Sequence, residues 1–101
     1  MAITYELVRD AIINKKQIFA TYQGHEKEMC PHVIGKKNGR QQVLCYQFGG
    51  TDSKGIVAGD WKCIQIALLA NVRTVNGQWH TDNTRSRPQN CVDLIDVEVS
   101  L

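Results

Sequence analysis

Apolar positions near the start of the chain recur at helical spacing. Leu7, Val8, Ala11 and Ile12 fall at i, i+1, i+4 and i+5, which predicts one apolar face on a helix over about residues 4–15. Thr4 stands where an N-cap belongs, and Ile3 and Val8 are spaced as a hydrophobic staple. Asn14, Lys15 and Lys16 make a polar, basic last turn that suits the helix dipole. A helix of about three turns is marginal by itself, so it must dock on another element.

After residue 16 the spacing shortens and reads as strands and turns. Gln17 to Tyr22 is rich in β-formers, with Ile18, Ala20 and Tyr22 on one face, and Gln23-Gly24 ends it. Lys27 to Ile34 is a second strand in which Pro31 implies an edge or a bulge, because proline cannot donate to a ladder. Asn38-Gly39 is a type I′ hairpin signal leading into a third strand, Gln41 to Phe48. Gly49 to Asp60, with four glycines, reads as a long loop. Trp61 to Ile66 is a fourth strand, Ala67 to Asn71 one 3₁₀ turn, and Val72 to Val75 a fifth strand. Asn76-Gly77 repeats the hairpin signal, with Gln78 to Thr81 as its return strand. A polar loop from Asp82 to Asn90, containing Pro88, follows. Val92 to Leu101 then alternates, with Ile95, Val97, Val99 and Leu101 against Asp96, Glu98 and Ser100.

This order predicts a mostly β fold: a small SH3-like or Sm-like barrel over about residues 17–81, an N-terminal helix, and an extra C-terminal strand over about 92–101. The extra strand either covers the barrel's own edge or pairs with a second copy as a homodimer. At 101 residues the chain has room for one domain, and no apolar run approaches the roughly 20 residues that span a bilayer. The first ten residues carry acids and lack a long apolar core, unlike a signal peptide, so the expected location is cytoplasmic with no membrane partner.

Charge narrows the ligand classes. A net charge of +2 argues against strong non-specific nucleic-acid binding. The basic excess is local: residues 1–50 hold seven Lys and Arg against four Asp and Glu, and Lys36, Lys37 and Arg40 flank one tight turn. Such a cluster is either a solvated hairpin tip or a corner that faces an anion. The four cysteines form no C-x-x-C pair, and with no secretory signal they are expected to stay reduced, without a disulfide.

Reactive constellations are sparse. His25, Cys30 and His32 suggest a metal, but the usual C-x₂₋₄-C element is missing and no cofactor is expected. Cys30 with His32, or Cys63 with His80, would suit an activated thiolate, yet no oxyanion-forming turn accompanies them. The run Gly49 to Gly55 has phosphate-loop composition without G-x-x-x-x-G-K-[ST] spacing. Tyr22, Tyr46, Phe48 and Trp61, with Arg40 and Lys62 nearby in sequence, suit either core packing or a stacking platform for bases.

Four stretches resemble the WYL domain, a small Sm-like barrel. Ala11 through Tyr22 is similar to the family's helix running into a strand that ends "I-x-Y", and Pro31 to Ile34 to its proline and apolar pair. Gln42 to Tyr46 falls where the Trp-Tyr-Leu tripeptide stands, with Leu44 matching its leucine. Trp61 to Val72 resembles "R-x-F-R-L-D-R-I-x-x-V", with Lys62 keeping a charge and Gln65 and Leu68 replacing arginines. The resemblance covers roughly residues 8–75 and implies a stand-alone, divergent, non-catalytic sensor of a nucleotide-like anion or single-stranded nucleic acid. The expected ligand residues are Tyr22, His32, Arg40, Tyr46, Gln47 and Lys62, with the tyrosines stacking or hydrogen-bonding and Arg40 and Lys62 meeting phosphate. The rival readings are a protein–protein or self-assembly domain using the C-terminal strand and, more distantly, a cysteine- or metal-dependent enzyme.

Overall fold

The computed structural model describes residues 4–82 and 90–100. The helix α1 (Thr4–Ile13) precedes β1 (Gln17–Tyr22), β2 (His25–Lys37) and β3 (Arg40–Asp52). After these come β4 (Gly55–Ile56), β5 (Asp60–Gln65), a 3₁₀ turn η1 (Ile66–Leu68), β6 (Leu69–Val75) and β7 (Leu94–Glu98). The antiparallel strands curl into a half-barrel with one N-terminal helix and an added C-terminal strand, as the hydrophobic pattern predicts.

The long β2–β3 hairpin organises everything else. The Asn38-Gly39 turn that closes it has positive φ at both residues, 52° and 78°, as a type I′ turn requires. One edge of β2 pairs with β3 along its length, while the other changes partner midway: β1 covers His25 to Met29, and β7 covers Val33 to Lys36. Pro31 sits in the gap between those two partners, at a register shift against β3. A residue with no N–H is tolerated at such an irregularity in the ladder. The outer edge of β3 likewise divides, between β5 at Gln42 to Gln47 and β4 at Thr51 and Asp52.

The core fills the curl of the sheet. Val8, Ala11 and Ile12 of α1 pack on Ile18, Ala20, Met29, Ile34, Val43, Cys45, Ile64, Ile66 and Val99. Full burial of a valine or isoleucine stabilises by about 1.5–3 kcal/mol, enough to hold a short helix in place. Tyr5 and Arg9 also tie α1 to β7, donating to the same Asp96 carboxylate oxygen at 2.7 Å and 3.1 Å.

Several expectations need correction. Leu7 lies outside the core, 37% exposed, because the docked face centres on Val8 and Ile12. Gly49 to Asp60 is not a loop throughout, since β3 runs on to Asp52 and hairpins into β4. Gly50 permits this: at φ 86° it passes so close to β2 that a Cβ would lie 2.1 Å from the Glu26 carbonyl oxygen. Asn76-Gly77 is no hairpin, and Gln78 to Thr81 forms no strand. Instead the Gln17 side-chain amide donates to the Gln78 carbonyl at 2.7 Å and lies against Gly77, where a Cβ would clash with it. The C-terminal strand pairs within the chain, on β2. A register shift between Ile34 and Gly35 breaks its alternation, so Val99 is buried while Ile95 is 50% exposed. Ile3 of the staple, residues 83–89 of the polar loop and Leu101 lie outside the described residues.

The cysteine expectation fails in part. Cys30 and Cys45 are buried free thiols, whereas Cys63 and Cys91 form a disulfide between β5 and the chain leading into β7. The docking of β7 on β2 brings Cys91 beside β5, a juxtaposition that a separation of 28 residues with no motif does not announce.

Candidate functional site

The first β-hairpin, the β3–β4 turn and β5 surround a cleft of about 480 Å³, within the roughly 300–1,000 Å³ typical of small-molecule sites. Its polar wall comes from Tyr22, His25, Lys27, Asp52, Lys54 and Lys62. Tyr22 ends β1 at a tight turn whose residues, Gln23 and Gly24, both have positive φ. The Tyr22 hydroxyl accepts the Gln65 N–H at 3.3 Å, which fixes its ring against the cleft.

Two lysines in this cleft are held differently. Lys62, on β5, is pinned by Asp52 at 2.9 Å and by Asp60 at 3.3 Å. Its hydrogen bond to Asp52 raises the lysine's pKa and lowers that of the carboxylate. Lys27, on β2, is only 5% exposed, and its ammonium donates to the Thr51 carbonyl at 2.9 Å. Among the described residues that is its one hydrogen bond, and no carboxylate lies within ion-pair distance of it. An ammonium carries three donors, so Lys27 keeps unused capacity at the cleft. Burial lowers its pKa, the neighbouring charge of Lys62 lowers it further, and Asp52 partly offsets both.

The same corner holds a second enclosed polar group. Gln47, fully buried, donates to the carbonyls of Gly49 at 2.9 Å and Thr51 at 3.3 Å, while its Oε1 has no hydrogen-bond partner among the described residues. Thr51 also meets His25 Nδ1 through its hydroxyl at 3.2 Å, and the Lys54 N–H donates to Asp52 at 2.8 Å. The β3–β4 turn is thereby tied to both lysines. The arrangement suits a small oxyanion: one lysine with free donors, another held in place by acids, and a tyrosine ring on the wall.

The six residues expected from sequence do not converge. Tyr22 and Lys62 share this cleft, though Lys62 is already paired with carboxylates. Arg40 lies apart, at the β2–β3 hairpin end, on a second cleft that includes Lys37 and the disulfide. Gln47 is interior. Half-buried Tyr46 packs edge-on to Trp61, with ring centroids 5.0 Å apart. His32 is fully buried between Trp61 and Trp79, at 4.7 Å and 5.0 Å. Its Nδ1 lies 2.8 Å from the Cys30 carbonyl, which only accepts, so Nδ1 carries the proton and Nε2 faces the Thr81 hydroxyl at 2.9 Å. His32 thus braces the strand and makes no bond to the Cys30 thiol, which burial shifts to a higher pKa.

Lys27 is the residue that sequence reasoning missed. Its signal was phase: it sits two positions before Met29, on the face of β2 that turns inward. Among the described residues, no three of His, Cys, Asp and Glu gather as a metal site. None of the described helices is long and apolar enough to cross a membrane. No protein-family model matches the chain, and no curated protein or solved structure is significantly similar to it.

Proposed function

We propose that the chain is a non-catalytic binding module that takes a small anionic, nucleotide-like ligand in the cleft built around Lys27. The observation that carries this reading is a nearly enclosed ammonium with a single protein acceptor and no ion pair among the described residues. An isolated buried charge is costly, and an arriving phosphate or carboxylate offsets that cost directly. Lys54 and Lys62 add positive potential, Asp52 and Asp60 keep Lys62 in place, and Tyr22 offers an aromatic surface for a base. The resemblance to WYL domains, drawn from sequence, points to the same ligand class. Calorimetric titration with inorganic phosphate, a nucleoside monophosphate and a short single-stranded oligonucleotide tests the reading. The expected result is binding that weakens at least about tenfold in Lys27→Met and stays unchanged in Arg40→Gln. Loss in Arg40→Gln alone would refute it.

A second reading, self-assembly through β7, rests on a different observation. Leu94 and Ile95 are 71% and 50% exposed on a strand that pairs only with β2 among the described residues. An open edge with apolar side chains is a template for a second copy. Sedimentation at high micromolar concentration tests it, and a monomer there rejects it.

A further inference from the structure

The second cleft lies at the opposite end of the β2–β3 hairpin and has a volume of about 500 Å³. Lys37, Arg40, Gln42, Asn90 and the Cys63–Cys91 disulfide line it. No carboxylate is part of that lining among the described residues, and Arg40 has no ion pair there. The nearest acid to Lys37 is Asp93, at 4.0 Å. The two half-cystines are unequally buried: Cys63 is an exposed residue, while Cys91 is 4% exposed. Gln42 Nε2 faces both, at 3.3 Å from Cys63 Sγ and 3.9 Å from Cys91 Sγ, and also donates to the Cys91 carbonyl. Exposed disulfides are the labile ones, and positive surroundings favour thiolates at such sites.

From this geometry we infer that Cys63–Cys91 is a thiol–disulfide exchange site for anionic low-molecular-weight thiols. The thiol's carboxylate or phosphate rests against Lys37 and Arg40 while its thiolate attacks the accessible Cys63 sulfur. The Cys63–Cys91 bond breaks, a new sulfur–sulfur bond joins Cys63 to the small thiol, and the electron pair leaves on Cys91. The proton lost by the incoming thiol is taken up by the Cys91 thiolate, with the Gln42 amide nearby, so no further oxidant or reductant enters. Return attack by Cys91 on Cys63 expels the thiol and restores the disulfide. Cys30 and Cys45 do not compete, because both are enclosed and burial pushes their thiols up. The chain stays folded after opening, since β7 is held independently through its ladder to β2, with added bonds from the Asp93 N–H to Lys36 and the Val99 N–H to His32. This inference does not rest on anion binding at the Lys27 cleft, although Cys63 lines both clefts.

The test uses the full chain purified without reductant, exposed to glutathione, coenzyme A and uncharged β-mercaptoethanol at equal thiolate concentrations. Intact mass and peptide mapping follow the adduct. Both anionic thiols are expected to react at least about tenfold faster than β-mercaptoethanol, with the adduct on Cys63. The faster of the two tells whether carboxylate or phosphate is preferred. In about 0.5 M salt, where the screening length falls to roughly 4 Å, the preference should shrink to within about twofold. Lys37→Gln with Arg40→Gln should do the same at low salt, and the salt arm decides the matter if that variant folds poorly. Equal rates for the three thiols, an adduct on Cys91, or four free thiols in the purified protein would each overturn the inference.

Discussion

The two clefts share Cys63 as a wall, and each gathers basic side chains, yet they hold positive charge in different ways. In the first, Lys27 is 5% exposed and Lys62 is clamped between two carboxylates. In the second, Arg40 is exposed, and Lys37 donates to the Asn90 carbonyl and lies 4.0 Å from Asp93. Counting charges along the chain favours the β2–β3 turn, where Lys36, Lys37 and Arg40 cluster and the last two line the second cleft. Solvent reverses that ranking for equilibrium binding. Two charges 4 Å apart interact by about 1 kcal/mol in bulk water and several times that near a protein surface. An enclosed ammonium without an ion pair is therefore expected to be the stronger anchor under the proposed function, and an exposed cluster to act mainly by steering.

The comparison can be broken from either side. The largest effect is expected from Cys63→Ser with Cys91→Ser, which opens a loop of 28 residues and costs about 3–4 kcal/mol by chain entropy. Urea unfolding should show the loss. Gly50→Ala works on the other side. Its φ of 86° and the Glu26 carbonyl 2.1 Å from the new Cβ should cost about 2–3 kcal/mol. That variant should lose anion binding at the first cleft and keep the reactivity of the disulfide.

Smaller effects carry the electrostatic part. Lys27→Met should raise the stability of the ligand-free protein by about 1 kcal/mol, because it removes a buried charge that has no ion pair and that Asp52 offsets only in part. The wild type should also gain stability as pH rises from the lowered Lys27 pKa toward 10.5, since the folded chain sheds its proton first, and the variant should lack that gain. Tyr5 has the opposite sign. Burial and its hydrogen bond to Asp96 push it from 10.0 up to about 12, so the unfolded chain ionises first. The stability it contributes is present below about pH 10 and is lost as pH climbs toward 12. Tyr5→Phe should flatten that alkaline loss in a pH series of urea midpoints.

Local signals in the sequence were reliable where chemistry and geometry are local. The Gln17 to Tyr22 strand matched residue for residue, the Asn38-Gly39 turn has both φ angles positive, and Pro31 marks a register shift. The same reasoning failed where a distant contact decides. Asn76-Gly77 carries a hairpin signal, but the Gln17 side chain holds that segment without a turn. Glycines 49 and 50 looked like a loop because their closeness to β2 is a tertiary fact. Cys63 meets Cys91 only once β7 lies on β2. For the candidate site, residue type picked out Tyr22 and Lys62, which line the first cleft, but passed over Lys27. A lysine is ordinarily exposed, and its inward phase becomes informative only once β2 is known to be covered on that face.

Lysine side-chain ¹³Cε resonances, followed against pH with and without inorganic phosphate, test the role of Lys27 most directly. In the free protein the Lys27 signal should titrate below 10.5. Saturating phosphate should move its midpoint upward, because an anion favours the charged form, while Lys62, already paired with Asp52 and Asp60, shifts little. A Lys27 midpoint at the ordinary lysine value, or one that phosphate leaves in place, would contradict its assignment as the anion anchor.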